Sequence, residues 1–383
     1  MRALSLGLLF GLLSAGLAAA SEVAVSDTGD STHTGTWECT PGHEIRARSL
    51  RLATSAATYR FAYSGCVDPS HGEEHPSSEG NLGMPEPTLC NFYHSGFMGV
   101  LINGKDAVRY TLRDARPLES GARGSLQLIF AHPDADVGLR LMMLPDSNHV
   151  LALLSWWPRE GKTVESVRVW LNCYPSFFTA ARNRQGERHV TTPRTDQQEP
   201  TTLTLVPADD TWLFYHDRIF DVAKGEGEGP CATLLDPTNV QAGRVNISYY
   251  AVRTELDLRP DAGAARLALY DFKGQTNADA EAYLRDHGAA DLAELVATDF
   301  RPRALENLDL AARRAEAERL LTEAAEDGQP LRGPVDELFT RLADLQPKAT
   351  GGDWSAEADV IEALRGSEGL FYRLRIFAAL NQP

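Results

Sequence analysis

Between residues 22 and 275, apolar residues recur in short runs that either alternate with polar residues or follow one another without a break. Alternation is typical of a half-buried β-strand, whereas an unbroken apolar run is typical of a strand buried on both faces. We predict about a dozen strands, separated by turn-forming residues and without a convincing helical period. The pattern therefore predicts a protein that is mainly β with α, built on one large antiparallel β-sandwich. The predicted strands cover residues 58–63, 97–103, 125–131, 137–144, 150–157, 164–171, 202–206, 212–215, 245–252, 255–258 and 265–272.

The pattern changes after residue 275, where apolar residues recur every three or four positions among Ala, Glu and Arg. This spacing predicts four or five helices, among them one over residues 303–327 and one that begins at Pro334. We expect breaks near residues 328–330 and at 351–352, with Asp353 or Ser355 capping the helix that follows. The predicted domains are a β-sandwich over residues 21–275 and a C-terminal α-helical subdomain over 276–383.

The first twenty residues have the pattern of a secretory signal peptide. Arg2 supplies a positive start, residues 4–17 are apolar apart from Gly and Ser, and residues 18–20 are three alanines. The apolar stretch has 14 residues, fewer than the roughly 20 that a membrane-spanning helix needs. We expect cleavage after Ala20, export to the periplasm or the extracellular space, and no membrane span.

Charge narrows the range of partners. The chain has 53 acidic and 37 basic residues, a formal net charge of −16 and a pI near 5.1. Residues 276–383 hold 21 acidic and 12 basic residues, a net of −9. Because nucleic-acid phosphates repel such a chain, we expect no nucleic-acid partner, while protein partners stay open. Arg outnumbers Lys by 32 to 5, which is typical of a GC-rich bacterial gene.

Five cysteines follow the predicted cleavage site: Cys39, Cys66, Cys90, Cys173 and Cys231. Export permits disulfides, and three of the five lie between residues 39 and 90, in a segment with little regular pattern. We expect a disulfide to pin this segment. The odd number leaves at least one thiol outside a pair, and the sequence does not tell which cysteines pair.

Residues 64–96 form a stretch without periodicity inside the predicted sandwich. It contains four prolines and several glycines, and a long loop of this kind is typically functional or disordered. Its aromatic and cysteine content argues against disorder. Three interpretations stay open: a ligand site, a metal site, and a structural cover for a sheet edge.

As a ligand site, the loop would bind a saccharide or another small molecule. Its polar side chains would fix hydroxyl groups, and an aromatic ring would stack on the apolar face of a sugar. Outside the loop, Tyr174 follows a predicted strand end, and a turn at His216–Asp217 would give an acid–base pair. The predicted ligand-binding residues are His75, Glu86, Asn91, Tyr93, His94, Tyr174, His216 and Asp217.

As a metal site, the loop offers His71, His75 and His94 together with a cysteine. His71 and His75 fit the His-x-x-Glu-His spacing of inverted zinc proteases. That motif needs a helix, and Gly72 and Pro76 oppose one.

The sequence shows no phosphate-binding loop, no Gly-x-Ser-x-Gly and no dinucleotide fingerprint. We therefore predict no cofactor and no metal, and assign no catalytic residue.

The chain resembles the galactose-mutarotase-like supersandwich proteins over residues 45–272. The order of the predicted strands and their pattern of apolar and polar residues carry the resemblance, in residues 126–130, 144–153 and 167–178. It implies a sandwich of supersandwich type that binds or processes carbohydrate. In mutarotases a Glu base and a His acid move the anomeric proton. The segment Cys-Tyr-Pro-Ser-Phe-Phe at 173–178 has no His where those enzymes have one, so the resemblance implies binding rather than mutarotase activity.

Together these observations predict an exported bacterial protein that binds or processes a polysaccharide or a small sugar through its β-sandwich. Whether it catalyses a reaction stays open. One alternative is a non-catalytic envelope or assembly protein that uses its acidic helical subdomain. A second is a metal-dependent enzyme centred on residues 64–96.

Overall fold

A computed structural model describes residues 22–34, 44–67, 80–177, 185–306 and 308–381. The predicted signal peptide, Cys39, His71 and His75 lie outside these residues. The predictions that involve them therefore stay predictions.

Nineteen strands form two antiparallel sheets within the described ranges. The ten-stranded sheet has the order β1-β2-β3-β4-β5-β11-β18-β17-β14, with β6 paired to β5, and the nine-stranded sheet has the order β13-β12-β15-β16-β19-β10-β9-β8-β7. This confirms the predicted antiparallel sandwich. The strands are β1 Ala24–Thr34, β2 Glu44–Ala53, β3 Thr58–Val67, β4 Asn81–Glu86, β5 Met98–Ile102, β6 Lys105–Asp106, β7 Leu112–Glu119, β8 Gly124–Ala131, β9 Ala135–Met143, β10 His149–Pro158, β11 Val167–Cys173, β12 Arg188–Thr191, β13 Asp196–Gln198, β14 Thr201–Leu205, β15 Trp212–Asp217, β16 Cys231–Leu235, β17 Val240–Ile247, β18 Val252–Leu258 and β19 Ala264–Asp271.

The main core lies between the two sheets and follows from the period-two pattern. Burial alternates residue by residue along β18. Val252, Leu256 and Leu258 join the core, whereas Glu255 and Asp257 point outward. By contrast, every residue of β8 is buried, because its outer face is also covered.

The loop predicted over residues 64–96 contains more regular structure than its sequence indicates. β3 continues to Val67, and β4, over Asn81–Glu86, lies within the ten-stranded sheet between β3 and β5. A second difference concerns residues 245–252, predicted as one strand. The chain turns there instead, so that β17 ends at Ile247 and β18 begins at Val252.

Five helices follow in the described residues: α1 Asn277–Ala297, α2 Arg303–Glu306, α3 Leu310–Glu323, α4 Ala325–Thr350 and α5 Trp354–Leu380. The predicted break at residues 351–352 is confirmed. Asp353 caps α5, and its carboxylate accepts hydrogen bonds from the backbone N–H groups of Ser355 and Ala356. No helix of the described part of the chain is long and apolar enough to cross a membrane.

The prediction for the start of α4 is wrong in detail. The helix predicted over residues 303–327 is divided, and the chain breaks at Ala324 rather than at 328–330. α4 continues through Pro330 and Pro334. Burial of Leu331 and Val335 in the helical core offsets the hydrogen bonds that the two prolines cannot donate.

The helices pack on the outer face of the nine-stranded sheet, which we call the covered face. α1 covers β15, β16 and β19 through an apolar cluster. There Leu284 and Leu295 pack with Trp212, Phe214 and Tyr270.

α5 covers the other end of this face, over β7–β9, through a buried polar network. Arg140 on β9 pairs with Glu357 on α5, with 2.5 Å between Nη2 and Oε2, and the two side chains are 3% and 4% exposed. The guanidinium also donates to Gln127 Oε1 at 2.9 Å and lies 4.0 Å from the centre of the Trp354 ring. A buried polar network is thus added to the apolar contacts of Leu118 and Trp157 where α5 docks.

The outer face of the ten-stranded sheet differs, and we call it the open face. It carries exposed arginines and carboxylates in rows, with Arg168 Nε 2.6 Å from Asp257 Oδ1. Glu255 accepts from Arg244 at 2.5 Å and from Arg253 at 3.2 Å. This face is therefore lined with charged side chains in the part of the chain that the structure describes.

Candidate functional site

Four tyrosines and a histidine form a continuous aromatic cluster at one end of the open face. Ring centres are 4.6 Å apart for Tyr93 and His94, 4.9 Å for Tyr93 and Tyr174, 5.1 Å for Tyr174 and Tyr250, and 6.4 Å for Tyr249 and Tyr250. We call these five residues the tyrosine rim. Tyr249 and Tyr250 are 58% and 40% exposed, so the rim presents aromatic surface to solvent.

The topology explains why three distant segments supply this rim. Tyr174 directly follows β11, and β11 pairs with β18, whose hairpin to β17 carries Tyr249 and Tyr250 at its tip. Phe92, beside Tyr93, forms a β-bridge with Cys173 at the end of β11. Aromatic residues far apart in sequence therefore meet at one end of the sheet.

A polar groove of about 510 Å³ begins at the rim and continues over β1–β4. Small and polar side chains line it, which leaves room for a ligand rich in hydroxyl groups. Tyr93 and His94 belong to both the groove and the rim. The lining residues are Thr28, Ser31, Ala47, Arg48, Ser49, Ala62, Tyr63, Ser64, Asn81, Tyr93, His94 and Ser95.

Gly83 allows the loop that carries His94 to fold back over β4. A Cβ at Gly83 would lie 1.7 Å from the carbonyl oxygen of His94, so a side chain there cannot be accommodated without moving backbone. Two backbone hydrogen bonds hold the loop against β4. Met84 N–H donates to Tyr93 O at 3.3 Å, and Phe97 N–H donates to Leu82 O at 2.9 Å.

Asn91 lies in the interior beneath the rim rather than in the groove. Its Nδ2 donates to Asp271 Oδ1 at 3.0 Å and to Pro230 O at 3.1 Å, and its Oδ1 accepts from Ser176 N–H at 2.9 Å. Backbone N–H of Tyr174 donates to Asn91 O at 3.2 Å. Asn91 therefore joins β19 to the two segments that carry the aromatic rings, and it positions the rim.

Glu86 lies at a second groove, of about 550 Å³, further along the same face. Its carboxylate pairs with Arg51 at 3.2 Å and with Arg60 at 3.4 Å. Asp271 borders this groove from below and accepts from Thr88 Oγ1 at 2.7 Å. Burial raises the pKa of Asp271 to about 7, against the opposing effect of its hydrogen bonds.

Tyr174 keeps its phenolic proton at neutral pH. Burial raises the pKa of Tyr174 above its ordinary value, and the neighbouring Tyr250 and Tyr93 raise it further. Its hydroxyl can therefore donate a hydrogen bond to an acceptor on a ligand or on the rim.

His216 and Asp217 do not face one pocket, because adjacent residues of β15 point to opposite sides of the sheet. Asp217 points inward and pairs with Arg188 at 2.7 Å, with both side chains fully buried. Arg188 also donates to the carbonyl oxygens of Pro175 and Phe177. This pair holds the turn after Tyr174, whereas His216 lies on the outer side of the sheet.

One group in the described ranges has the residue types and spacing to hold a metal ion. His189, Asp196 and His216 each have a ligand atom, and these atoms lie within 4.8 Å of one another. Burial, together with the nearby His189, lowers the pKa of His216 to about 4. The group lies on β12, β13 and β15, away from the metal site predicted in residues 64–96.

The buried cysteines do not form a nucleophile. Cys90, Cys173 and Cys231 are free thiols, and burial raises the pKa of Cys90 and Cys231. Thiols of raised pKa react slowly, since the thiolate is the nucleophile. The disulfide expected between residues 39 and 90 stays a prediction, because Cys39 lies outside the described residues.

The structure thus brings together Tyr93, His94 and Tyr174 of the predicted set and places Glu86 in the neighbouring groove. Sequence reasoning missed Tyr249 and Tyr250. It placed them inside a strand, whereas the adjacent aromatic pair lies in a turn where Ser248 N–H donates to Ala251 O at 3.0 Å. A Ser before two tyrosines was the available turn signal.

No family model matches this sequence, and no curated protein matches it. Among solved structures, a TPR-domain containing protein from Parabacteroides distasonis has a TM-score of 0.37 and 9% identity, over 64% of this chain and 54% of its own. The alpha-N-acetylgalactosaminidase NagBb from Bifidobacterium bifidum has a TM-score of 0.32 and 12% identity, over 73% of this chain and 41% of its own.

A GH36 alpha-galactosidase from Geobacillus stearothermophilus, solved with 1-deoxygalactonojirimycin, has a TM-score of 0.31 and 8% identity, over 64% of this chain and 41% of its own. The chain thus spans only about half or less of the length of these proteins.

Proposed function

We propose that this chain is an exported carbohydrate-binding protein whose sugar site is the tyrosine rim together with the adjoining groove of about 510 Å³. The observation that carries the proposal is the direct contact between an exposed aromatic platform and a polar groove. Export is proposed from residues 1–20, which have the pattern of a signal peptide.

The chemistry of the two parts suits a sugar. Pyranose rings have an apolar face that stacks on aromatic side chains and an equatorial edge of hydroxyl groups that needs hydrogen-bond partners. Tyr249 and Tyr250 supply the platform, and His94, Asn81 and Ser64 supply polar groups along the groove. An acidic chain repels polyanions, so a neutral glycan is the favoured class.

The test is a glycan-array screen of the full chain, followed by calorimetry on each hit. The decisive variant is Tyr249→Ala/Tyr250→Ala, which removes the exposed half of the rim. We expect it to weaken sugar binding about 5-fold or more, because two stacking contacts are lost and each is worth about 0.5–1.5 kcal/mol. The matched control is Tyr372→Ala, which removes a tyrosine that is 65% exposed on α5 and leaves affinity unchanged.

Two outcomes would refute the site. A blank array over plant, algal and bacterial glycans would remove the carbohydrate proposal. Equal losses in the double variant and in Tyr372→Ala would show that sugar does not bind at the rim.

The assembly-protein alternative has one observation in its favour. Tyr372, Ile376 and Leu380 lie four residues apart on α5 and are 65%, 38% and 73% exposed. Because α5 also covers the sandwich, deletion of residues 276–383 would uncover buried surface and would not isolate a partner site. Replacing these three side chains by Ser, with oligomeric state as the readout, tests the alternative without unfolding the cover.

A further inference from the structure

The edge of the nine-stranded sheet brings two histidines side by side on its outer surface. His189 on β12 and His216 on β15 are directly opposite each other in the antiparallel register, and their rings stack with 5.2 Å between centres. Opposed residues in such a pair point to the same face. β13 adds Asp196, with Oδ1 3.1 Å from His189 Nδ1. Three adjacent strands thus direct nitrogen and oxygen ligands to one point.

His216 supplies a second, independent observation. The residue is only 8% exposed, and its Nδ1 has no hydrogen-bond partner among the described residues. A buried polar nitrogen without a partner costs free energy, roughly 1–3 kcal/mol. Such an atom beside a histidine and a carboxylate is accounted for if the three share a ligand.

The neighbouring Glu187 prepares His189 for that role. Glu187 Oε1 lies 3.3 Å from His189 Nε2. A proton on Nε2 donated to this carboxylate leaves the lone pair of Nδ1 directed toward Asp196. Metal-binding histidines usually donate their second ring N–H to a carboxylate in this manner, which fixes both the tautomer and the ring orientation.

We propose that His189, His216 and Asp196 bind one divalent transition-metal ion of the Zn²⁺ type, with Glu187 as the carboxylate that orients His189. Two imidazoles and one carboxylate suit Zn²⁺ far better than Mg²⁺ or Ca²⁺, which prefer oxygen ligands. The ion would join β13, β12 and β15 and would leave one coordination position for water or for a ligand.

The three ligand atoms need to move only slightly closer together to bind the ion. Zn–N and Zn–O distances near 2.0–2.1 Å place tetrahedral ligand atoms about 3.3 Å apart, against separations of up to 4.8 Å here. The Asp196 side chain is 54% exposed and starts the short strand β13. It can therefore move toward the two buried histidines without disturbing the core.

The test uses the full chain, purified without a histidine tag, stripped with EDTA and titrated with ZnCl₂ by calorimetry. We expect one Zn²⁺ per chain and no heat with MgCl₂. Asp196→Asn and His189→Gln should each weaken Zn²⁺ binding at least 10-fold. Glu187→Gln should weaken binding by a smaller factor, because it changes the orientation of a ligand and removes none.

The matched control is Asp257→Asn, an aspartate on the open face whose side chain is 43% exposed, and it should leave Zn²⁺ affinity unchanged. Absence of Zn²⁺ binding would overturn the proposal. Binding that survives Asp196→Asn at full affinity would also overturn it, since it would place the metal elsewhere. The exposed position of Asp196 keeps this variant folded even if His189→Gln unfolds, and the melting temperature of each variant checks this.

Discussion

The two outer faces of the sandwich both carry Arg–Glu ion pairs, but one pair is buried and the other is exposed. On the covered face, Arg140 and Glu357 are buried and pair with each other beneath α5. On the open face, Arg244 and Glu255 make an equally short pair at 2.5 Å, but with the arginine 57% exposed. The distance is the same and the surroundings differ, so the two pairs serve different purposes.

The difference shows that a buried ion pair contributes to the stability of the fold, whereas exposed ion pairs keep a surface available to a ligand. A buried pair has lost its hydration, so each partner depends on the other. An exposed pair exchanges one solvated state for another and is worth little. The open face can therefore carry many charges, remain hydrated and still release water to a ligand.

The largest expected effect comes from breaking the buried pair. Glu357→Ala leaves the Arg140 guanidinium buried without its carboxylate, and we expect a loss of about 3–5 kcal/mol in the free energy of unfolding. Urea denaturation of the full chain measures it. A loss below about 1 kcal/mol would mean that α5 is not docked in solution as the structure has it.

The next effect concerns Asp271, which links the nine-stranded sheet to the rim. Its pKa is about 7 in the folded protein against 3.8 for an ordinary aspartate, so the folded state binds more protons between these values. Its contribution to stability is therefore present at low pH and is lost as pH rises from about 4 to 7. From pH 5 to 8 we expect a difference on the order of 2–3 kcal/mol between wild type and Asp271→Asn.

Asp271→Asn provides its own control. Three buried histidines, His132, His149 and His216, have lowered pKa values of about 4. They make the free energy of unfolding rise with pH, and they do so equally in wild type and in the variant. Parallel pH profiles of unfolding for wild type and variant would contradict the assignment.

A smaller change tests how the open face is built. Gly83→Ala introduces a Cβ against the His94 carbonyl, and we expect a cost of about 1–3 kcal/mol as the loop shifts. The same variant should weaken sugar binding, because His94 and Tyr93 move with the loop. Gly333→Ala on α4, which has open space around its Cα, is the control and should not destabilise.

The smallest expected effect completes the comparison. Glu255→Ala removes a carboxylate shared by Arg244, Arg253 and Arg168, yet we expect less than about 1 kcal/mol. The same urea experiment as for Glu357→Ala measures it. Equal losses in the two variants would show that exposure does not separate the two faces.

The sequence predicted the fold well where burial is one-sided and regular. Most strands could be predicted because burial against the core imposes an alternation of apolar and polar residues, as along β18. β1 was missed because its residues, Ala24–Thr34, are mostly polar and exposed at a sheet edge. Such a strand is held by backbone pairing with β2, which leaves no hydrophobic pattern to read.

The site was predictable only in part, for a related reason. Tyr93, His94 and Tyr174 attracted notice through their residue types, but their meeting depends on β11 lying between β5 and β18. The pairing of His189 with His216 depends on the register of β12 against β15. Both are contacts between distant segments, and a local pattern carries no information about them.

The manner in which α5 docks has a consequence for a chain that is made from its N-terminus onward. The apolar part of the covered face, around Trp212 and Tyr270, is sealed by α1, which begins at Asn277, directly after β19. The part around Arg140 is completed only by Glu357 of α5, 217 residues later, and there Arg140 and Gln127 accompany the apolar side chains of Leu118 and Trp157. The growing chain can therefore cover the more apolar part of this face first and leave the part with the buried ion pair exposed to water for longer.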